Sequence, residues 1–102
     1  MIKLYVLEGC PYCNKALDIL KKNKIKHKKI VVENTEEAKN YYKKKNKMNT
    51  FPQIFLDFNE STSMKIGGCS DLENLMDLLN NIKSSGINID IIYYMYNLLH
   101  KR

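Results

Sequence analysis

Two of the three cysteines in this chain stand three residues apart, in Cys10-Pro11-Tyr12-Cys13, a spacing that supports reversible sulfur chemistry. The thiolate is the nucleophile in thiol–disulfide exchange, and a free thiol with a pKa near about 8.5 is barely ionised at neutral pH. A reactive pair therefore needs a local source of positive potential. Pro11 suits the first turn of a helix, where its missing N–H costs nothing, so the pair reads as the junction of a strand with a helix N-terminus. Unpaired backbone N–H groups and the positive end of the helix dipole stabilise a negative sulfur there. A lowering of roughly three pKa units represents about 4 kcal/mol in favour of the thiolate. Cys10, just outside the first turn, is expected to receive that benefit and to be the nucleophile. Cys13 falls inside the helix and is expected to be less exposed, less acidic and the resolving thiol. The spacing keeps the two α-carbons within disulfide range, so the pair can close and open without unfolding.

A Cys-x-x-Cys pair also occurs in zinc sites, which need two further ligands. Cys69, His27 and His100 are the remaining candidates, with no second Cys-x-x-Cys and no paired histidines, so no metal is expected.

The elements that must position the pair can be read from periodicity. Residues 2–7 alternate as a first strand, and Gly9 makes the loop before a helix from Pro11. Ala16, Leu17, Ile19 and Leu20 form its apolar stripe, which dissolves into lysines near residues 21–24. A second strand is predicted at residues 28–32, and a second helix from Asn34-Thr35-Glu36-Glu37 to about Asn46, with acidic residues in its first turn. Residues 50–56 read as a third strand with Pro52 near its start, and residues 62–66 as an antiparallel return. After Gly67-Gly68, Ser70 or Asp71 is expected to cap a third helix whose Leu72, Leu75, Met76, Leu78, Leu79 and Ile82 face the core, with Gly86 ending it. The order predicts an α/β domain, a βαβ unit followed by a ββα unit, with a four-stranded mixed sheet flanked by helices. Ile89, Ile92, Tyr93, Tyr96 and Leu99 suggest an extra amphipathic C-terminal helix in an extension over residues 86–102 that packs back on its own domain.

At 102 residues with 44% hydrophobic content, the chain is expected to be a single domain. Its start reads as a strand, not as a basic n-region followed by an apolar h-region, so no secretory signal is expected. No apolar run approaches the roughly 18 to 20 residues of a membrane span. An odd, small number of cysteines argues against a disulfide scaffold and for a reducing, cytoplasmic setting. The net charge of +6 comes mainly from lysines between Lys15 and Lys47. With no zinc-finger spacing and no RNA-binding aromatic motif, these read as a solvated face, and no nucleic-acid partner is expected.

Three separated segments carry a family likeness: Cys10-Pro11-Tyr12-Cys13, Thr50-Phe51-Pro52-Gln53-Ile54-Phe55, and Ile66-Gly67-Gly68-Cys69-Ser70-Asp71-Leu72. Together they resemble the dithiol glutaredoxins over about residues 1–85, and hence imply a thioredoxin-like fold. The resemblance implies glutathione as co-substrate and a cis peptide at Pro52, with the Phe51 backbone pairing with the cysteinyl backbone of glutathione like an added strand. The γ-glutamyl end would lie at Gly68, Cys69, Ser70 and Asp71, its carboxylate meeting N–H groups at a helix N-terminus and its ammonium donating to Asp71. Tyr12 would flank the bound tripeptide, Thr50 would belong to the same loop, and Lys44 would reach the glycine carboxylate. Each has a plainer role open to it: Asp71 could simply cap its helix, Thr50 could shape the loop, Tyr12 could be a half-buried ring, and Cys69 could be a small turn residue. The implied partners are glutathione and proteins carrying glutathione mixed disulfides or disulfides, such as ribonucleotide reductase, served by a monomer.

The sequence departs from the family pattern at Leu7, where many members carry Lys or Arg, and at Phe51, which replaces the usual Val. Two rival readings remain. One is a thioredoxin-type reductase served by a flavoprotein, against which Pro11-Tyr12 and Gly67-Gly68 argue. The other is an iron–sulfur cluster shared by two chains through Cys10 and glutathione, against which Pro11 argues.

Overall fold

The computed structural model describes residues 1–85, with side chains described through residue 81. The elements are β1 (Ile2–Val6), α1 (Pro11–Lys22), β2 (His27–Val31), α2 (Glu36–Asn46), β3 (Gln53–Asp57), β4 (Ser63–Gly67) and α3 (Cys69–Ser85). They follow the predicted order. The strands form one mixed sheet ordered β2-β1-β3-β4. β1 runs parallel to β2 and antiparallel to β3, which runs antiparallel to β4. This is the four-stranded thioredoxin-like arrangement.

Strand alternation assigns the two faces of the sheet. Ile2, Leu4 and Val6 of β1 are buried with Ile54 and Leu56 of β3, and their register pairs Ile2 with Leu56 and Leu4 with Ile54. α1 contributes Cys13, Ala16 and Leu20 to the same cluster, and α3 contributes Cys69, Leu72 and Met76. The opposite face carries Lys3, Tyr5, Gln53 and Phe55, paired Lys3 with Phe55 and Tyr5 with Gln53. α2 covers this second face through Tyr42, whose ring lies 5.1 Å from that of Tyr5. No α2 residue is fully buried, so this helix rests on aromatic and polar contacts more than on apolar burial.

The helix ends follow local rules. Thr35 caps α2 by accepting from the Ala38 N–H at 3.2 Å, and Glu36 and Glu37 occupy the first turn. The C-cap is Lys47 in the left-handed region, φ 53°, a place more cheaply taken by Gly.

Several expectations need correction. β3 begins at Gln53, so residues 50–52 form a connecting segment that is free to line the site. α3 begins at Cys69, which makes Gly68 the residue before the first turn and places Ser70 and Asp71 within it. Leu78 does not face the core: it is 53% exposed, because the stripe that meets the sheet runs through Leu72 and Met76, flanked by half-buried Leu75 and Leu79. The Ile82 side chain, Gly86 and the proposed C-terminal helix lie outside the described residues.

Candidate active site: a dithiol at the start of the first helix

β1 delivers the chain to a turn at Gly9, whose φ of 72° favours glycine, and the Cys10 N–H reaches the Leu7 carbonyl at 3.4 Å. Cys10 is the N-cap of α1, in extended conformation, with Pro11 at the first helical position. In place of the usual side-chain oxygen, the cap acceptor is sulfur: the Cys13 N–H donates to Cys10 Sγ at 3.3 Å. One of the orphan donors of the helix start is thereby aimed at the Cys10 sulfur. As a thiol, Cys10 points at the Phe51 carbonyl, 3.9 Å away.

The two thiols have different surroundings. Cys10 is half-buried, whereas Cys13 is fully buried, and no disulfide joins them. Burial first, then the hydrogen bond with Cys10, pushes the Cys13 thiol up to about 12 from its ordinary 9.0, against a smaller lowering from the Leu7 backbone. At neutral pH Cys13 therefore holds its proton. The expected asymmetry, one accessible sulfur with N–H support and one protonated sulfur behind it, is present.

Beside Cys10 lies a cleft of about 340 Å³ lined by Tyr12, Met48, Thr50, Phe51, Pro52, Gly68, Cys69, Ser70 and Asp71. Eight of these come from the three segments singled out in the sequence. The Phe51–Pro52 peptide is cis, and Tyr12 is 65% exposed, its ring free to meet a ligand. Lys44 is exposed on α2 and is not brought into the lining. Met48 is, and nothing in its residue type announced it.

Asp71 has the capping role. Its Oδ2 accepts from the Gly68 N–H at 2.8 Å, so the third residue of α3 reaches back to the residue before the helix. Gly67, at φ 124°, is packed so closely against this carboxylate that a Cβ there would overlap it. Cys69 is buried, and its thiol is pushed up by that burial and by Glu73, whose Oε1 lies 3.8 Å from Sγ. Lys15 holds the same carboxylate at 3.0 Å and ties α1 to α3. Cys69 therefore stays a neutral thiol in the wall.

Sequence reading missed the group that shapes the segment between α2 and β3. Gln53 is completely buried on the α2 face of the sheet. Its Oε1 accepts from Asn46 Nδ2 at 2.8 Å, and its Nε2 donates to the Met48 carbonyl at 3.4 Å. From β4, Lys65 Nζ donates to the Lys47 carbonyl at 2.9 Å. Together these bonds hold both ends of the segment that presents Thr50, Phe51 and Pro52. The only sequence signal was a polar residue at the start of an apolar strand. No cluster of three or more metal-ligating side chains occurs among the described residues, and no described helix is long and apolar enough to cross a membrane.

The family model Glutaredoxin matches residues 2–59. Glutaredoxin 1 of Rickettsia typhi is 43% identical over 76 residues, covering 72% of this chain and 68% of that protein. Glutaredoxin 3 of Escherichia coli K12 is 30% identical over 71 residues, covering 70% of this chain and 80% of its own length. Among solved structures, a glutaredoxin from Brucella melitensis superposes with a TM-score of 0.59 at 31% identity, over 86% of this chain and 92% of that one. The family match spans both cysteines of the pair and the segment that faces Cys10. On that footing the chain belongs to the glutaredoxin family and is a thiol–disulfide oxidoreductase.

Proposed function

We propose that the protein is a glutathione-dependent disulfide reductase acting on protein–glutathione mixed disulfides and on protein disulfides. The observation that carries this reading is the position of Cys10, whose sulfur is supported by the Cys13 N–H and faces the Phe51 carbonyl at the edge of an open cleft. In that cleft the Phe51 backbone would pair with the cysteinyl unit of glutathione, and Tyr12, Thr50 and Pro52 would flank it. The γ-glutamyl carboxylate would meet the N-terminal N–H groups of α3 around Gly68, Cys69 and Ser70, with Asp71 holding that turn in shape. Lys44 receives no role, since it stands outside the lining.

Cys10 thiolate attacks the glutathione sulfur of the mixed disulfide. A bond forms between the two, the original S–S bond breaks, and the protein leaves as a thiolate that takes a proton from solvent. A second glutathione thiolate then attacks the sulfur on Cys10, releasing Cys10 thiolate and glutathione disulfide. With a protein disulfide, such as that of ribonucleotide reductase, Cys10 forms the mixed disulfide and one substrate sulfur leaves. Cys13 then gives up its proton and attacks Cys10 Sγ, and the substrate departs as a dithiol. Two glutathiones reduce the resulting Cys10–Cys13 disulfide.

The test is turnover of a small glutathione mixed disulfide coupled to NADPH and glutathione reductase. Turnover that requires glutathione and is lost in Cys10→Ser is the expected result. A folded wild-type protein that fails to turn over would defeat the reading.

A further inference from the structure

The lysines of α2 are unequally occupied. Lys39 is held by Glu36 at 3.1 Å, and Lys45 lies 5.7 and 5.8 Å from the ring centres of Tyr41 and Tyr42. Lys43, Lys44, Lys45 and Lys47 enter no ion pair among the described residues, and residues 38–50 contain no acidic side chain. A lysine cluster in a last helical turn complements the helix dipole. That role ends with the helix at Asn46, whereas Lys47 stands beyond it.

This turn leads directly into the cleft. The Met48 N–H donates to the Lys43 carbonyl at 3.0 Å, and Met48 itself lines the cleft with Phe51. On the other wall Glu73 is neutralised by Lys15, whereas Asp71 accepts from the Gly68 N–H and keeps its negative charge. Glu8, two residues before Cys10, is exposed and enters no ion pair among the described residues. A negatively charged partner approaching Cys10 is thus repelled on the Glu8 and Asp71 sides and attracted on the α2 side.

We infer that the lysine edge at the end of α2, with Lys43, Lys45 and Lys47, is a docking surface for an acidic polypeptide segment flanking the substrate's disulfide. The inference rests on the proposed function and names the substrate class it selects. Complementary charge of this kind speeds encounter and selects among partners while leaving the chemical step unchanged, and salt screens it. A second lysine group, Lys21, Lys22 and Lys24, lies at the other end of α1, roughly 18 Å from Cys10 at 1.5 Å per residue. That is more than twice the Debye length of about 8 Å at physiological salt, so this group is the internal control.

The experiment compares two glutathionylated peptides of equal length, with Glu or with Lys beside the modified cysteine, and uses a small mixed disulfide to report intact chemistry. Wild type is expected to favour the acidic peptide by about tenfold in kcat/KM at physiological ionic strength, the ratio collapsing as salt is raised towards about 1 M. The Lys43→Gln/Lys45→Gln/Lys47→Gln variant is expected to lose most of that preference and keep its rate on the small disulfide. The Lys21→Gln/Lys22→Gln/Lys24→Gln variant is expected to retain the preference. Equal kcat/KM for both peptides in wild type would overturn the inference, as would equal losses in the two variants. Stronger inhibition by a single-stranded oligonucleotide than by an acidic peptide of equal charge would overturn the assignment to a polypeptide. Failure on the small disulfide as well would remove the proposed function and this inference with it.

Discussion

The backbone N–H of Cys13 donates to the sulfur of Cys10 at 3.3 Å, so the residue proposed to resolve the mixed disulfide also supports the proposed nucleophile through its main chain. The two roles use different atoms. Changing the Cys13 side chain leaves its N–H in place, which makes the division of labour between the cysteines testable by single substitutions.

Cys10→Ser is expected to abolish reduction of both mixed and protein disulfides. Cys13→Ser is expected to spare deglutathionylation and to lower turnover of protein disulfides by at least tenfold, because the enzyme–substrate mixed disulfide loses its internal resolving step. Steady-state assays on both substrate types check this. Comparable losses in the two variants would contradict it.

Alkaline stability is the second readout. The Cys13 pKa is raised in the fold to about 12 from 9.0, so above pH 9 the unfolded chain gives up a proton that the folded chain retains. The stabilisation is complete below about pH 9 and is lost progressively as pH rises towards 12. Denaturant titrations across that window should show a steeper fall for wild type than for Cys13→Ser. Parallel curves would show that burial of this thiol has no such linkage.

Gln53 links the floor of the sheet to the segment bearing Thr50, Phe51 and Pro52. Gln53→Leu fills similar space but strands Asn46 Nδ2 and the Met48 carbonyl, both partly buried, at a cost of about 1–3 kcal/mol. The KM for a small mixed disulfide is expected to rise several-fold with a smaller change in kcat, since Cys10 and its N–H donor are untouched. Lost stability with an unchanged KM would show that the segment is held by other contacts.

At Gly67 any side chain meets two obstacles, a φ of 124° and the Asp71 carboxylate. Gly67→Ala is expected to destabilise by about 2 kcal/mol or more. In an Asp71→Ala background the same change should cost less, because the overlap is gone and only the backbone strain remains. A double-mutant cycle by chemical denaturation measures the difference. Strict additivity would show that the contact is relieved by a simple side-chain rotation.

Much of this site was legible along the chain because its signals are local. The Cys-x-x-Cys spacing, Pro11 at the first helical position and Gly9 before it place a dithiol at a helix start without reference to the rest of the fold. Thr35 followed by Glu36 and Glu37 marks a helix start in the same way, and alternation in residues 2–6 identifies the buried face of β1. The signals that failed depend on contacts between elements. Leu78 has the residue type of a core position, but α3 turns Leu72 and Met76 to the core and leaves Leu78 exposed. Lys44 was assigned to the cleft by family likeness, yet α2 lies so that Met48, in the turn after it, does the lining.

The sequence by itself determined the placement of the Cys10–Cys13 pair at a helix start, the order of the elements and the three segments that meet around the cleft, since each depends on neighbours within a few residues. Only the tertiary structure decided how those segments meet. Asp71 is committed to the Gly68 N–H, Cys13 holds its proton because the core closes over it, and Gln53 anchors the segment facing Cys10 from inside the sheet. Each of these follows from burial and from hydrogen-bond partners supplied by the packed fold, and neither is encoded in residue type or spacing alone.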